Sequence, residues 1–471
     1  MPKRLKNTRG SALVAVLIIL IAVLLIANAA VIYLHLQTSS SAGPAVQPTE
    51  ATTEATIPTT EETEPPTTTM PEPAHVVSTA SILSTGDLLM HISVFNSGKQ
   101  SDGSYNFDSI FRYITDHVSA ADYSVANLEV TFAGTDNGFS YSGYPRFNCP
   151  DALADATKNA GFDMLLTANN HSYDTTLVGF KRTLEVVRAT GQETLGTYLS
   201  ADEQKWTIEE INGIKVGMLC YTYATGLGPK GTPRLNDNAE IGEAGICNYF
   251  TYDNLPAFYS EVGGYLEKMK AAGAEATVVY LHWGEEYKWK TGEGPNANQT
   301  AMAQKLCDMG VDVIVGGHPH VVQPVDLLTS GTDAEHKTIV LYSMGNAVSN
   351  QRKEEMQQSE PTGHTEDGVL FCVTFAKYSD GSVFVDSAEL IPTWVNMHAN
   401  SGATEYNILP LEEATAAQWQ AQFGLTDTQL ANAKASFDRT QALTLTGMEK
   451  VQSYLAQQKQ PQENLPLDNA A

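Results

Sequence analysis

Residues 312–320 read DVIVGGHPH: a β-branched run that stops on Gly316-Gly317 and runs into His318-Pro319-His320. The run predicts a buried strand, and the glycines mark its end. Two imidazoles separated by a stiff proline should project to one side of an extended segment, a good arrangement for chelating metal. Four other segments share this layout. Gly86-Asp87 closes the run at 81–85, with His91 four residues further on. Asn127-Leu128-Glu129 follows YSVA, and Ala168-Asn169-Asn170-His171-Ser172-Tyr173-Asp174 follows MLLT. His282-Trp283-Gly284-Glu285-Glu286-Tyr287 follows TVVYL. In open α/β sheets the carboxyl ends of strands are where ligands bind.

Working outward, strand-like runs at 81–85, 123–126, 164–167, 215–221, 277–281, 313–315, 339–342 and 369–375 alternate with helical patterns at 151–160, 179–189, 254–272 and 299–309. This is the signature of α/β architecture. Asn212-Gly213 and Asp380-Gly381 signal hairpins. Parallel strands mixed with hairpins imply a mixed sheet or two sheets packed together. After Trp394 the pattern weakens, and 411–423 and 429–443 read as amphipathic helices of a C-terminal appendage (396–471) with a polar tail.

The N-terminus sets the expected topology. Lys3, Arg4, Lys6 and Arg9 (cytoplasmic segment, 1–10) precede an apolar run at 11–37, longer than the roughly 20 residues a bilayer requires. A cleavable signal peptide usually has a shorter apolar region, so the reading is an uncleaved signal anchor: single-pass, in the cell membrane, basic end inside and the remainder extracellular. Residues 38–74, rich in Thr, Pro and Glu, lack the apolar residues for a core and read as a disordered stalk. The folded domain is expected at 75–395. Its 471-residue chain carries 54 acidic against 28 basic residues, a net charge of -26, which argues against nucleic acid as a partner. Five cysteines without CxxC spacing argue against a thiolate zinc site.

Each motif has a bland alternative when taken alone. Asp87 fits a turn or helix cap. Asn127 and Asn170 fit turns, Glu129 a solvated side chain, His171 a hydrogen-bonded surface histidine, and Trp283 and Tyr287 packing. The constellation outweighs these readings, because four of the 11 histidines fall in three strand-end motifs beside an Asp, a Glu and several Asn. Imidazole, carboxylate and amide oxygen together suit one or two divalent ions such as manganese, zinc or iron.

The order GD…NLE…ANNHSYD…HWGEEY…GGHPHVVQP…YSMGN resembles the CapA-type capsule (poly-gamma-glutamate) biosynthesis proteins, over residues 75–391. That family is related to the calcineurin-like metallophosphoesterase superfamily, which implies a double β-sheet sandwich flanked by helices. The resemblance implies Asp87 and His320 as ligands of a first metal, and Glu129 (or Asn127) at the bridging position. It implies Asn170, His282 and His318 at a second metal, with His171 as general acid. The superfamily's Asp-x-His is absent here, which makes His91 a candidate ligand. NLE also departs from Gly-Asp-x-x-Asp and leaves the metal count at one or two. Asn346, in the YSMGN segment, is placed near the metal mouth, and Glu286 beside His282 or the substrate.

Two functions follow as expectations. One is a cell-surface metallohydrolase acting on a phosphorylated substrate or an anionic surface polymer. The other is a non-catalytic scaffold within a capsule synthesis and export complex. Arg146, Lys288 and Lys290 are candidates for docking an anion.

Overall fold

The computed structural model describes residues 74–458, apart from 137, 237, 238, 291, 401, 413 and 414. The cytoplasmic segment, the anchor, the stalk up to residue 73 and the tail beyond 458 lie outside the described residues. No described helix is long and apolar enough to cross a membrane.

The strands, in chain order, are β1 (Val76–Leu88), β2 (Tyr123–Leu128), β3 (Met164–Leu166), β4 (Glu193–Leu195), β5 (Thr207–Ile211), β6 (Ile214–Tyr223), β7 (Gly226–Leu227), β8 (Pro233–Arg234) and β9 (Tyr249–Phe250). They continue with β10 (Ala276–His282), β11 (Val313–Gly317), β12 (Val322–Thr329), β13 (Lys337–Met344), β14 (Asn346–Val348), β15 (Asp367–Tyr378), β16 (Val383–Asn400) and β17 (Ala403–Pro410). The α-helices are α1 (Ile92–Ser97), α2 (Asp108–Phe111), α3 (Thr115–Ala120), α4 (Ala152–Ala160), α5 (Thr176–Ala189), α6 (Leu255–Ala271), α7 (Ala297–Asp308), α8 (Ala416–Phe423) and α9 (Asp427–Gln458).

Among the described residues the strands form two large sheets. One runs β17-β16-β15-β1-β2-β3-β4 with β14 beside β1, and the other runs β12-β13-β11-β10-β6-β5 with β9 beside β6. The period of two along each strand builds the layers. Ala80, Ile82 and Val125 of the first sheet meet Met218, Val278, Tyr280 and Leu341 of the second in one shared core. The alternate residues Leu83, Leu128 and Leu165 face Phe111, Leu153 and Val187 on the outer helices. On the far side Leu219, Val279 and Ile314 face Phe258, Val262 and Met302 of α6 and α7. The result is a mixed α/β fold of two facing sheets with helices outside. Each such buried side chain contributes about 1.5–3 kcal/mol.

Local signals explain several junctions. Asn212 (φ 51°) and Gly213 (φ 79°) form the two-residue turn joining antiparallel β5 and β6, with Ile211 opposite Ile214. Positive φ at both positions is what such a turn requires, which is why Asn-Gly appears there. Helix α7 starts with a reciprocal cap between Asn296 and Gln299. All five cysteines are free.

The C-terminal region differs from the expected appendage. The boundary at 395/396 falls inside β16, and β17 adds one more strand to the first sheet. Helix α9 then contributes Val451 and Leu455 to the core between the sheets. The alternation in β16 and β17, the outer two strands of that sheet, is diluted by Asn396, His398, Asn400 and Glu405.

Candidate metal centre

Parallel pairing brings the strand ends together. Asp87 lies opposite both Asn127 of β2 and Asn346 of β14, and His282 lies opposite Gly317 at the ends of β10 and β11. Glu129 follows β2, and Asn170 and His171 follow β3. Both sheets therefore deliver their carboxyl edges to one place. Gly317 lies close against Asp87 and His282: a Cβ at that position would stand 3.0 Å from Asp87 Oδ1 and 3.6 Å from His282 Nδ1.

Asp87, Glu129, His282, His318 and His320 are all buried. Three groups of side chains converge closely enough to hold an ion: Glu129, His282 and His318; Asp87, Glu129 and His320; and Glu286, His318 and His320. Glu129 belongs to the first two, with Oε1 3.5 Å from His282 Nε2 and 3.8 Å from His320 Nε2. His320 Nδ1 lies 3.1 Å from both Asp87 Oδ2 and Asn346 Oδ1. His282 Nε2 lies 2.7 Å from Asn170 Oδ1. Asn127 Nδ2 donates to Asp87 Oδ1 at 2.7 Å.

Two buried atoms in this cluster lack a hydrogen-bond partner: Glu129 Oε1 and His318 Nδ1. A buried polar atom left unsatisfied costs about 1–3 kcal/mol. The donors are oxygen and imidazole nitrogen, with no cysteine among them, and they fit a hard or borderline divalent cation.

The electrostatics agree with that fit. Burial, then the Asp87 and Glu286 carboxylates, push Glu129 well above the usual carboxyl range. Burial also works against ionised Asp87, but the His320 hydrogen bond and the neighbouring imidazoles outweigh it and hold the group low. His320 shows the converse: burial opposes its charge, and Asp87 more than compensates, raising it. Burial lowers His282 to about 3 and takes His318 well below the usual histidine range. The cluster thus sets Asp87 as a carboxylate and His282 and His318 as neutral imidazoles, while Glu129 and His320 are both shifted toward their protonated forms.

His171 stands beside the cluster. Its Nδ1 lies 2.7 Å from Asp174 Oδ2, and the same carboxylate oxygen accepts the Phe147 N–H at 2.7 Å. The Phe147 ring meets the imidazole edge-on at 4.7 Å. Two cavities open onto the centre and share Thr225 and Glu286. One, about 420 Å³, includes Tyr144, Arg146, Asn170, His171 and Asn236 in its lining, and the other, about 740 Å³, includes Tyr223, Leu227, Tyr252 and His318.

The structure therefore assembles Asp87, Glu129, Asn127, Asn170, His282, His318 and His320, with His171 adjacent. Four expectations change. His91 joins none of the three groups, since its Nδ1 sits 3.3 Å from Leu89 O and 3.2 Å from Asn350 N. Asn346 is fully buried and supports His320 from behind, with its amide donating to Gln351 Oε1 and Thr365 O. Glu286 converges with His318 and His320, not with His282. The His-Pro-His segment is not extended: His318 (φ 96°) and His320 (φ 55°) both hold left-handed backbone, a strain met most often at functional sites. Three residues to which the motifs assign no role also belong to the site: Asp174, Tyr223 and Asn169. Tyr223 lies parallel to the His282 ring and 4.7 Å from that of His318, and Asn169 ties its loop to Leu128 O at 2.7 Å. For Asp174, the i,i+3 spacing from His171 was the available signal.

"Capsule biosynthesis protein CapA" of Bacillus anthracis is 28% identical over 269 residues, 56% of this chain and 59% of that one. "PGA biosynthesis protein CapA" of Bacillus subtilis (strain 168) is 28% identical over 271 residues, 56% of this chain and 62% of that one. The chain thus spans about three fifths of the length of these relatives. A crystal structure of a candidate 5'-nucleotidase from Staphylococcus aureus, with alpha-ketoglutarate, aligns over 77% of this chain and 58% of that one at 14% identity, with a TM-score of 0.40. Such a likeness is too distant to bear on function. Residues 81–351, more than half of the chain and containing every ligand candidate above, match the bacterial capsule synthesis protein family PGA_cap, and the chain belongs to that family.

Proposed function

We propose that this chain is a divalent-metal-dependent hydrolase of metallophosphoesterase type that acts in capsule or poly-gamma-glutamate synthesis or export, held outside the cell membrane by the apolar segment at 11–37. The observation that carries the catalytic part is the pair of unpartnered buried atoms, Glu129 Oε1 and His318 Nδ1, among the converging side chains. Asp87, Glu129, Asn170, His282, His318 and His320 would hold the ion or ions. A divalent cation supplies Lewis acidity there, polarising a phosphoryl or carbonyl oxygen and making water nucleophilic at neutral pH.

The chain's own groups supply the rest. With Asp174 accepting the Nδ1 proton, a doubly protonated His171 would present its Nε2–H to a leaving oxygen and pass that proton to it. Asn127 and Asn346 fix the orientations of Asp87 and His320. Tyr223 walls the site with aromatic surface.

The test is hydrolysis of a chromogenic phosphoester panel by full-length protein loaded with manganese or zinc, wild type against His171→Ala. The expected result is turnover by the wild type and a loss of about 10²–10⁴-fold in the variant, the range of general acid–base contributions. In cells lacking the gene, full restoration of capsule by both His171→Ala and His318→Ala would overturn the catalytic reading in favour of the scaffold.

A further inference from the structure

We infer that the turn carrying Tyr144 and Arg146 is a substrate-recognition element, and that Arg146 takes a carboxylate or phosphate group lying beside the bond whose leaving group faces His171. This rests on the hydrolase reading for the reaction, but the anion site stands on its own geometry.

The turn is firmly built. Ser142 and Asn148 exchange backbone hydrogen bonds at 3.0 Å across its base, Ser142 Oγ donates to Arg146 O at 2.7 Å, and Arg146 N donates to Gly143 O at 3.2 Å. Gly143 lies so close to α1 that a Cβ there would come within 2.7 Å of Ile92 N. The turn is also keyed to the proton donor, since Asp174 Oδ2 accepts from Phe147 N and faces His171 Nδ1. One carboxylate oxygen therefore fixes both the imidazole and the segment presenting Arg146.

Charge singles out the same residue. The protein has a net charge of -26, so its surface repels anions. Among the described residues lining the two cavities, Arg146 is the one lysine or arginine. Lys288 lies 3.9 Å from Glu293, and Lys290 sits over the Trp289 ring at 5.7 Å; neither lines either cavity. Arg146 is solvent-exposed, and Tyr144 beside it is 74% exposed. A planar guanidinium suits a two-oxygen anion. The larger cavity, with Tyr223, Leu227 and Tyr252 but no lysine or arginine, does not select for an anion in this way.

Glutarate and inorganic phosphate serve as probes, with glutaramide as the uncharged control, in calorimetric titrations of the full chain with manganese and with chelator. The wild type is expected to bind both anions in preference to glutaramide. Arg146→Ala should weaken anion binding by about 10–100-fold in both conditions. Arg146→Lys should recover only part of the loss, and manganese stoichiometry should match the wild type in both variants. The stronger wild-type ligand tells carboxylate from phosphate. Anion binding unchanged in Arg146→Ala, or no preference over glutaramide in the wild type, would overturn the inference while leaving a manganese-binding hydrolase intact. Arg146-dependent anion binding in a protein that takes up none of manganese, zinc or iron would support the inference and sink the hydrolase reading.

Discussion

Burying a carboxylate beside a second carboxylate is costly unless a cation or proton compensates. Glu129 is fully buried with one oxygen unpartnered, and the Asp87 and Glu286 carboxylates add to the repulsion. Glu129→Gln should therefore weaken metal binding by more than the 10–100-fold typical of an outer-shell change, measured by competition with a fluorescent chelator. Its metal-free denaturation midpoint should equal or exceed that of the wild type, and a marked drop would count against this account. Protonation gives a second test. Glu129 and His320 are both shifted upward, so the metal-free site holds protons that a cation must displace. Metal affinity should fall as pH drops from about 8 to about 6, and calorimetry in two buffers should show net proton release. At this scale the sequence was informative where chemistry and strand-end position coincide, as for Asp87, His282, His318 and His320. It could not reveal left-handed backbone at the two histidines, and it offered Arg146 only beside Lys288 and Lys290, because the link from its turn to Asp174 through Phe147 spans 27 positions.

Helix α9 reaches the centre through a chain of hydrogen bonds. Arg439 holds Asp367 through Nε at 2.7 Å and Nη2 at 2.6 Å and donates to Gly363 O at 3.0 Å. The same loop offers Thr365 O to Asn346, which in turn orients His320. Asp367 is buried, so Arg439→Ala strands a carboxylate and should cost about 3 kcal/mol. The Asp367→Ala/Arg439→Ala double variant should recover part of that loss in chemical denaturation. Little of this was legible beforehand. The helical pattern at 429–443 found the N-terminal half of α9 but not its full extent to Gln458. The Asp380-Gly381 signal marked the start of β16, but its second half and the edge strand β17 escaped because Asn396, His398 and Glu405 break the apolar alternation, whereas the apolar cores of β6, β10 and β11 stand out as buried runs.

The two sheets share one core, and its closing pieces lie late in the chain. A protein ending at residue 395 would lose part of β16, all of β17 and α9, and with them the cover over Val325, Leu327 and Trp394. It should fail to unfold cooperatively, whereas a chain spanning residues 74–458 should give a single sharp transition by circular dichroism. The layered architecture was readable from alternating strands and helices; the closure of the sandwich by the C-terminal helix was not, because it depends on long-range packing. What most needs measuring is the metal content of the purified full-length protein, by elemental analysis, beside an Asp87→Ala/His318→Ala variant. One to two divalent ions per chain in the wild type, lost in the variant, is the predicted result. No bound metal in the wild type, or equal content in both proteins, would contradict the central claim.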